Sequence, residues 1–205
     1  MARRVQTFPT VAERGSRGFT LIELMIVVII VGILATLAVV GYRKLMNSSH
    51  VSEATNMVQS IRVAQEAYHA ETQQYLSAST GFPTGDGPAG NIFYPIASGT
   101  PTYELLTAWG GACANCTSAT VWNSLPVHVD GPLLFGYATV ANGGPLNLNP
   151  TASITIGGTA TTITNPGTDW FAIAAEADLD GTAGTVTHVF GFSMSNQIFV
   201  ANEGL

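Results

Sequence analysis

The hydrophobic and polar positions divide the chain into three regimes. Leu24 to Val40 is a run of 17 residues without a charge, and begun at Leu21 it becomes 20 residues interrupted only by Glu23. At about 1.5 Å per residue, 20 helical residues cover about 30 Å, the thickness of a bilayer's hydrocarbon core. After Gly41 the apolar residues Val51, Ala54, Met57, Val58, Ile61, Ala64, Tyr68 and Tyr75 recur at spacings of three, four and seven. The positions between them carry Glu53, Asn56, Gln59, Ser60, Arg62, Glu66, His69 and Gln73. That periodicity predicts one continuous helix from about Phe19 to about Tyr75, apolar all round at first and then striped, with the stripe covering a downstream sheet.

Residues 79–102 are dense in Gly, Pro, Ser and Thr and read as a connection, extended by Trp109 to Cys116. Beyond it, short apolar segments bounded by turn residues predict antiparallel strands at Leu133–Val140, Ser153–Ile156, Trp170–Leu179, Val186–Phe192 and Ile198–Ala201. In the third, Phe171, Ile173, Ala175, Ala177 and Leu179 are expected to face the core. Ala172, Ala174, Glu176, Asp178 and Asp180 are expected to face solvent. The fold class is therefore α+β: a long N-terminal helix, hydrophobic then amphipathic, packed on a C-terminal antiparallel sheet. The expected organisation is a leader at 1–18, a hydrophobic helix at 19–41, an amphipathic helix at 42–76 and a β-rich globular part at 77–205.

Charge orients this arrangement. Four of the seven basic residues, Arg3, Arg4, Arg14 and Arg17, precede the apolar run, which by the positive-inside rule keeps residues 1–18 cytoplasmic and sends the C-terminal part outward. Arg43 and Lys44 on the far side oppose this but are outnumbered. A cleaved secretory signal is the ordinary alternative, but the run exceeds the usual apolar core of about 7–15 residues, and no A-x-A pattern follows before the chain turns polar at Arg43. Cleavage there would also discard Glu23, whose place in an apolar span is costly unless paired and marks it as functional.

Residues Gly18-Phe19-Thr20-Leu21-Ile22-Glu23-Leu24-Met25-Ile26-Val27-Val28, continuing through Gly32-Ile33-Leu34-Ala35, resemble the class III signal of type IV prepilins. The resemblance implies cleavage after Gly18 by a prepilin peptidase, N-methylation of the new terminal Phe19 and retention of the helix. It also implies that Glu23 pairs with the amine of Phe19, in a neighbouring subunit, so that two buried charges relieve each other's desolvation. The implied protein is a structural subunit of a type IV pilus-like filament, with a type II secretion pseudopilin and a pilin-anchored adhesive or ligand-binding module as alternatives. Its implied partners are copies of itself, the peptidase, the inner-membrane assembly machinery and, before assembly, membrane lipid. Its implied location is the inner membrane, then an extracellular or periplasmic filament. Where many members of that family carry a proline near the end of the apolar run, this chain has Val39-Val40-Gly41. Gly32 and Gly41 each weaken a helix by about 1 kcal/mol relative to Ala, which leaves room for local melting in a filament.

Loss of residues 1–18 leaves three basic and twelve acidic residues, a net charge of −9. An acidic product gains nothing from phosphate attraction, so no direct nucleic-acid binding is expected. Cys113 and Cys116 form a C-x-x-C pair. Haem attachment fails because Thr117 replaces the following His. Zinc lacks a second Cys pair, although His128 is near in sequence, and the Gly110-Gly111-Ala112 context is not the helix start of a redox dithiol. In an exported chain a short disulfide is expected. Glu176, Asp178 and Asp180 before Gly181 are candidate Ca²⁺ ligands against the plain reading of a solvated strand end and turn. No other cofactor is expected. His50, His69, His128 and His188 are scattered outside any catalytic motif, so no enzymatic activity is expected. His50 and His69 are read as exposed helix residues, and His128 and His188 as strand residues.

Overall fold

The computed structural model describes residues 18–85, 92–95, 106–110, 119–142, 151–182 and 185–203. The elements in chain order are α1 (Leu21–Thr72), β1 (Thr107–Ala108), α2 (Ala119–Trp122), β2 (Pro132–Leu133), β3 (Gly136–Ala141), β4 (Thr151–Ile156), β5 (Thr159–Thr164), β6 (Phe171–Ala177), β7 (Thr187–Phe192) and β8 (Ser195–Ala201). The protein is α+β, a long N-terminal helix packed on antiparallel sheet, and it divides into two compact units, Met1–Gly41 and Tyr42–Leu205.

In the first unit, the large side chains of α1 from Leu21 to Val40 are exposed on every side of the helix. α1 is long and apolar enough to cross a membrane, and none of its most apolar stretch is buried within the chain.

In the second unit, β3, β6, β7 and β8 form a four-stranded sheet in the order β3-β6-β7-β8, every pair antiparallel. The buried face of α1 is Val51, Ala54, Met57, Val58, Ile61, Ala64 and Gln65, which includes the predicted stripe as far as Ala64. It packs with Tyr137, Phe171, Ile173, Ala175 and Val189 on one face of the sheet. The approach is close at Gly191 of β7, where an added Cβ would stand 2.7 Å from Val58 Cγ1.

The helix ends at Thr72, three residues before Tyr75. Gln73 turns into the left-handed region (φ 60°) and its N–H donates to His69 O at 2.8 Å, the geometry of a helix C-terminal stop. Tyr68 and Tyr75 pack at the edge of the core, half-buried.

The expectation of a solvent face on β6 is overturned, because the strand is buried at every position. Ala172 and Ala174, with Ala138, Val140, Phe190 and Phe192, lie beneath Ile154, Ile163, Phe93 and Trp170. Ile154 and Ile163 come from the hairpin β4–β5, which turns at Gly157-Gly158, both at positive φ as a tight two-residue turn requires. β5 had no strand predicted because Thr159–Thr164 holds only Ala160 and Ile163 as apolar residues. The predicted connection also contributes structure, since Tyr94 forms an antiparallel bridge with Tyr137; between its two stretches, Thr107 and Ala108 pair with Leu133 and Pro132 as β1–β2.

Candidate functional site

Gly18, Phe19 and Thr20 precede α1 and are exposed, Phe19 at 86%. Thr20 and Glu23 close a reciprocal cap on the helix start. Thr20 N–H and Oγ1–H donate to Glu23 Oε2 at 3.0 and 2.8 Å, and Glu23 N–H donates to Thr20 Oγ1 at 3.3 Å. This is a capping box, in which the first residue's hydroxyl and the fourth residue's carboxylate satisfy amides that have no partner within the helix. The Thr-x-x-Glu spacing before an apolar run carried that signal, and Thr20 was the residue passed over. Among the described residues no heavy atom lies within 4 Å of a Cβ added to Gly18.

The remaining candidates do not converge on one site. Cys113 and Cys116 lie outside the described residues, as do positions 1–17 of the leader. Glu176 faces away from solvent on β6 directly across from His188 of β7, with Oε2 3.7 Å from Nδ1 and both side chains fully buried. Asp178 sits in the turn after β6, where its Oδ1 accepts the N–H groups of Asp180 (3.3 Å) and Gly181 (2.7 Å). Asp180 is exposed, and its Oδ1 accepts the N–H of Thr182. Among the described residues no three His, Cys, Asp or Glu side chains are grouped to hold a metal ion, so the structure does not bring the three proposed Ca²⁺ ligands together. His128 lies in an irregular segment, not in a strand, 3.0 Å from Asp130 with both side chains exposed. His50 and His69 are half-buried on α1, not exposed.

Residues 14–39 match the family described as the prokaryotic N-terminal methylation motif. Over 60 residues the chain is 45% identical to the type IV major pilin protein PilA of Myxococcus xanthus, covering 29% of this chain and 27% of that one. It is 37% identical over 91 residues to the type IV major fimbrial protein FimA of Dichelobacter nodosus, covering 43% and 56%. It is also 38% identical over 80 residues to the type II secretion system core protein G of Pseudomonas aeruginosa, covering 36% and 56%. The chain thus spans from about a quarter to just over half the length of these relatives. No solved structure matches it. The chain carries the N-terminal methylation motif of prepilins and is similar, over 60 and 91 residues, to a type IV pilin and a type IV fimbrial protein.

Proposed function

We propose that this chain is the precursor of a structural subunit of a type IV pilus-like filament. The observation that carries the reading is the apolar helix from Leu21 to Val40, exposed all round and with Glu23 as its one charge. Exposed apolar surface of that extent is unfavourable in water and needs lipid or neighbouring helices around it. Before assembly the lipid is the inner membrane. In the filament the cover is the same helix of other subunits.

In this proposal a prepilin peptidase cuts after Gly18 on the cytoplasmic side, Phe19 is N-methylated, and the helix is kept. The Glu23 carboxylate then exchanges part of its cap on Thr20 for the amine of Phe19 in an adjacent subunit, which sets the register of packing. Cys113 and Cys116 join after export. The similarity to a type II secretion core protein favours a second reading, a pseudopilin that makes a short periplasmic fibre from the same helix. Mass spectrometry of sheared surface filaments tests the proposal. The expected result is this chain in the filament fraction beginning at methylated Phe19. A start before Phe19 or beyond Val40 overturns the proposed processing, and confinement to the periplasm selects the pseudopilin.

A further inference from the structure

The turn after α1 and the adjoining ends of β3 and β6 enclose a cleft of about 310 Å³ lined by Gln73, Gln74, Tyr75, Asn142 and Asp169. Asn142 follows Ala141, which pairs with Phe171 at the end of the β3–β6 ladder, and Asp169 lies two residues before Phe171, so the strand ends bring the two together. One wall is tied together by contacts among its own residues and with their neighbours. Asn142 Oδ1 accepts the N–H of Trp170 at 2.7 Å, and Asn142 Nδ2 donates to Asp169 Oδ1. Asp169 Oδ2 lies 3.7 Å from His69 Nε2, and the His69 ring stacks on Tyr75 with centroids 4.3 Å apart. Tyr75 is fixed in turn by donation to the Glu66 carboxylate at 3.2 Å and by Phe171 at 4.8 Å.

The opposite wall is solvent-exposed. Gln73 and Gln74 are exposed and line the cleft, so their side-chain amides can reach a molecule within it. Gln73 holds a left-handed conformation that a non-glycine residue adopts at a cost, which fixes where its side chain begins.

The chemistry narrows the ligand. Asp169 in the wall, Glu66 behind it and the acidic chain as a whole repel an anion. The polar lining offers little to an apolar molecule. A metal ion would find one carboxylate and an Asn142 oxygen already engaged by Trp170 N–H, too few hard ligands for Ca²⁺. Side-chain amides beside a carboxylate supply donors and acceptors in the pattern that adjacent hydroxyl groups satisfy. A volume near the small end of ligand sites, about 300–1,000 Å³, suits one or two sugar rings.

We propose that this cleft binds a neutral saccharide. The proposal rests on the fold of the second unit and is independent of filament assembly. Its test is titration of the full chain in detergent with galactose, glucose, N-acetylglucosamine and lactose, followed by ligand-observed NMR, which reads binding directly at the sugar. Saturable binding in the millimolar range is expected with at least one of them. The double variant Gln73→Ala/Gln74→Ala, at two exposed positions outside the fixed network, should bind about tenfold more weakly through the loss of hydrogen bonds. Thr162→Ala, on the exposed face of the β4–β5 hairpin, should bind normally. Absence of saturation with every sugar up to about 100 mM, far above the millimolar range expected, overturns the proposal. So does binding unchanged in the double variant, or binding abolished by EDTA, which would make the cleft a cation site.

Discussion

Glu23 accepts both the amide and the hydroxyl of Thr20, and it is also the carboxylate proposed to meet the amine of Phe19. Glu23→Gln separates these roles, because Gln serves equally as the last residue of a capping box but cannot neutralise an ammonium. Breaking a buried ion pair typically costs about 3–5 kcal/mol, a penalty repeated at every subunit of a filament. Expected for Glu23→Gln is a folded, membrane-bound pool with few or no surface filaments by electron microscopy. Normal filaments would leave the cap as its sole role. Tyr137 poses a different question, since its buried hydroxyl finds no hydrogen-bond partner among the described residues. Burial, and secondarily the charge of Glu53, push its pKa far up. A phenol whose folded pKa is raised contributes stability that is fully present below its unfolded pKa of about 10 and is lost above it, by up to about 1.4 kcal/mol per pH unit. Tyr137→Phe is therefore expected to match or exceed the parent's stability at pH 7, by up to about 1 kcal/mol, and to lose less of it at pH 11 in urea titrations. Tyr75, also raised, first by burial and then by Glu66, keeps part of the alkaline loss in place. Glu23 was legible in the sequence because one charge in an apolar run is conspicuous whatever the fold. Glu176 was misread because alternation along one strand does not reveal whether a second layer covers its other face.

The contact between α1 and the sheet depends on a missing side chain and a buried amide. A Cβ at Gly191 would meet Val58 Cγ1 at 2.7 Å, so Gly191→Ala is expected to destabilise the protein by about 1–3 kcal/mol in urea unfolding. Adding Val58→Ala should cost less than the sum of the two single changes, because each relieves the other. Gln65 ties the segment after the helix to both layers: Nε2 donates to Leu76 O (2.7 Å) and Thr139 Oγ1 (3.0 Å), and Oε1 accepts Leu76 N–H (2.9 Å). Gln65→Leu strands two backbone groups at about 1–3 kcal/mol each, so a loss of at least about 2 kcal/mol is expected, with faster amide exchange at Leu76. The helical stripe could be read directly, since burial against one sheet face imposes its three-four spacing. The end of the helix could not, because a left-handed Gln73 gives none of the signal that a glycine would. β5 escaped for a related reason: its pairing with β4 is fixed by the Gly157-Gly158 turn more than by its own two apolar residues.

Both hydrophobic clusters lie wholly within Tyr42–Leu205, whereas Leu21 to Val40 contributes nothing to either. The energy that folds the second unit and the energy that holds the first in lipid or among other helices are therefore separate, and each has its own measurement. A chain beginning at Tyr42 keeps every core residue and loses only the preceding helix, whose removal frees a few amides at the new start. The cost of such an uncapped end is about 0.5–2 kcal/mol. The truncated protein is expected to unfold cooperatively in urea with a stability lower than that of the parent by no more than this. It should also leave the membrane fraction for the aqueous one and be absent from sheared filaments. Loss of the cooperative transition would show that the first 41 residues take part in folding. Retention in the membrane would show that the exposed apolar helix is not what anchors the chain.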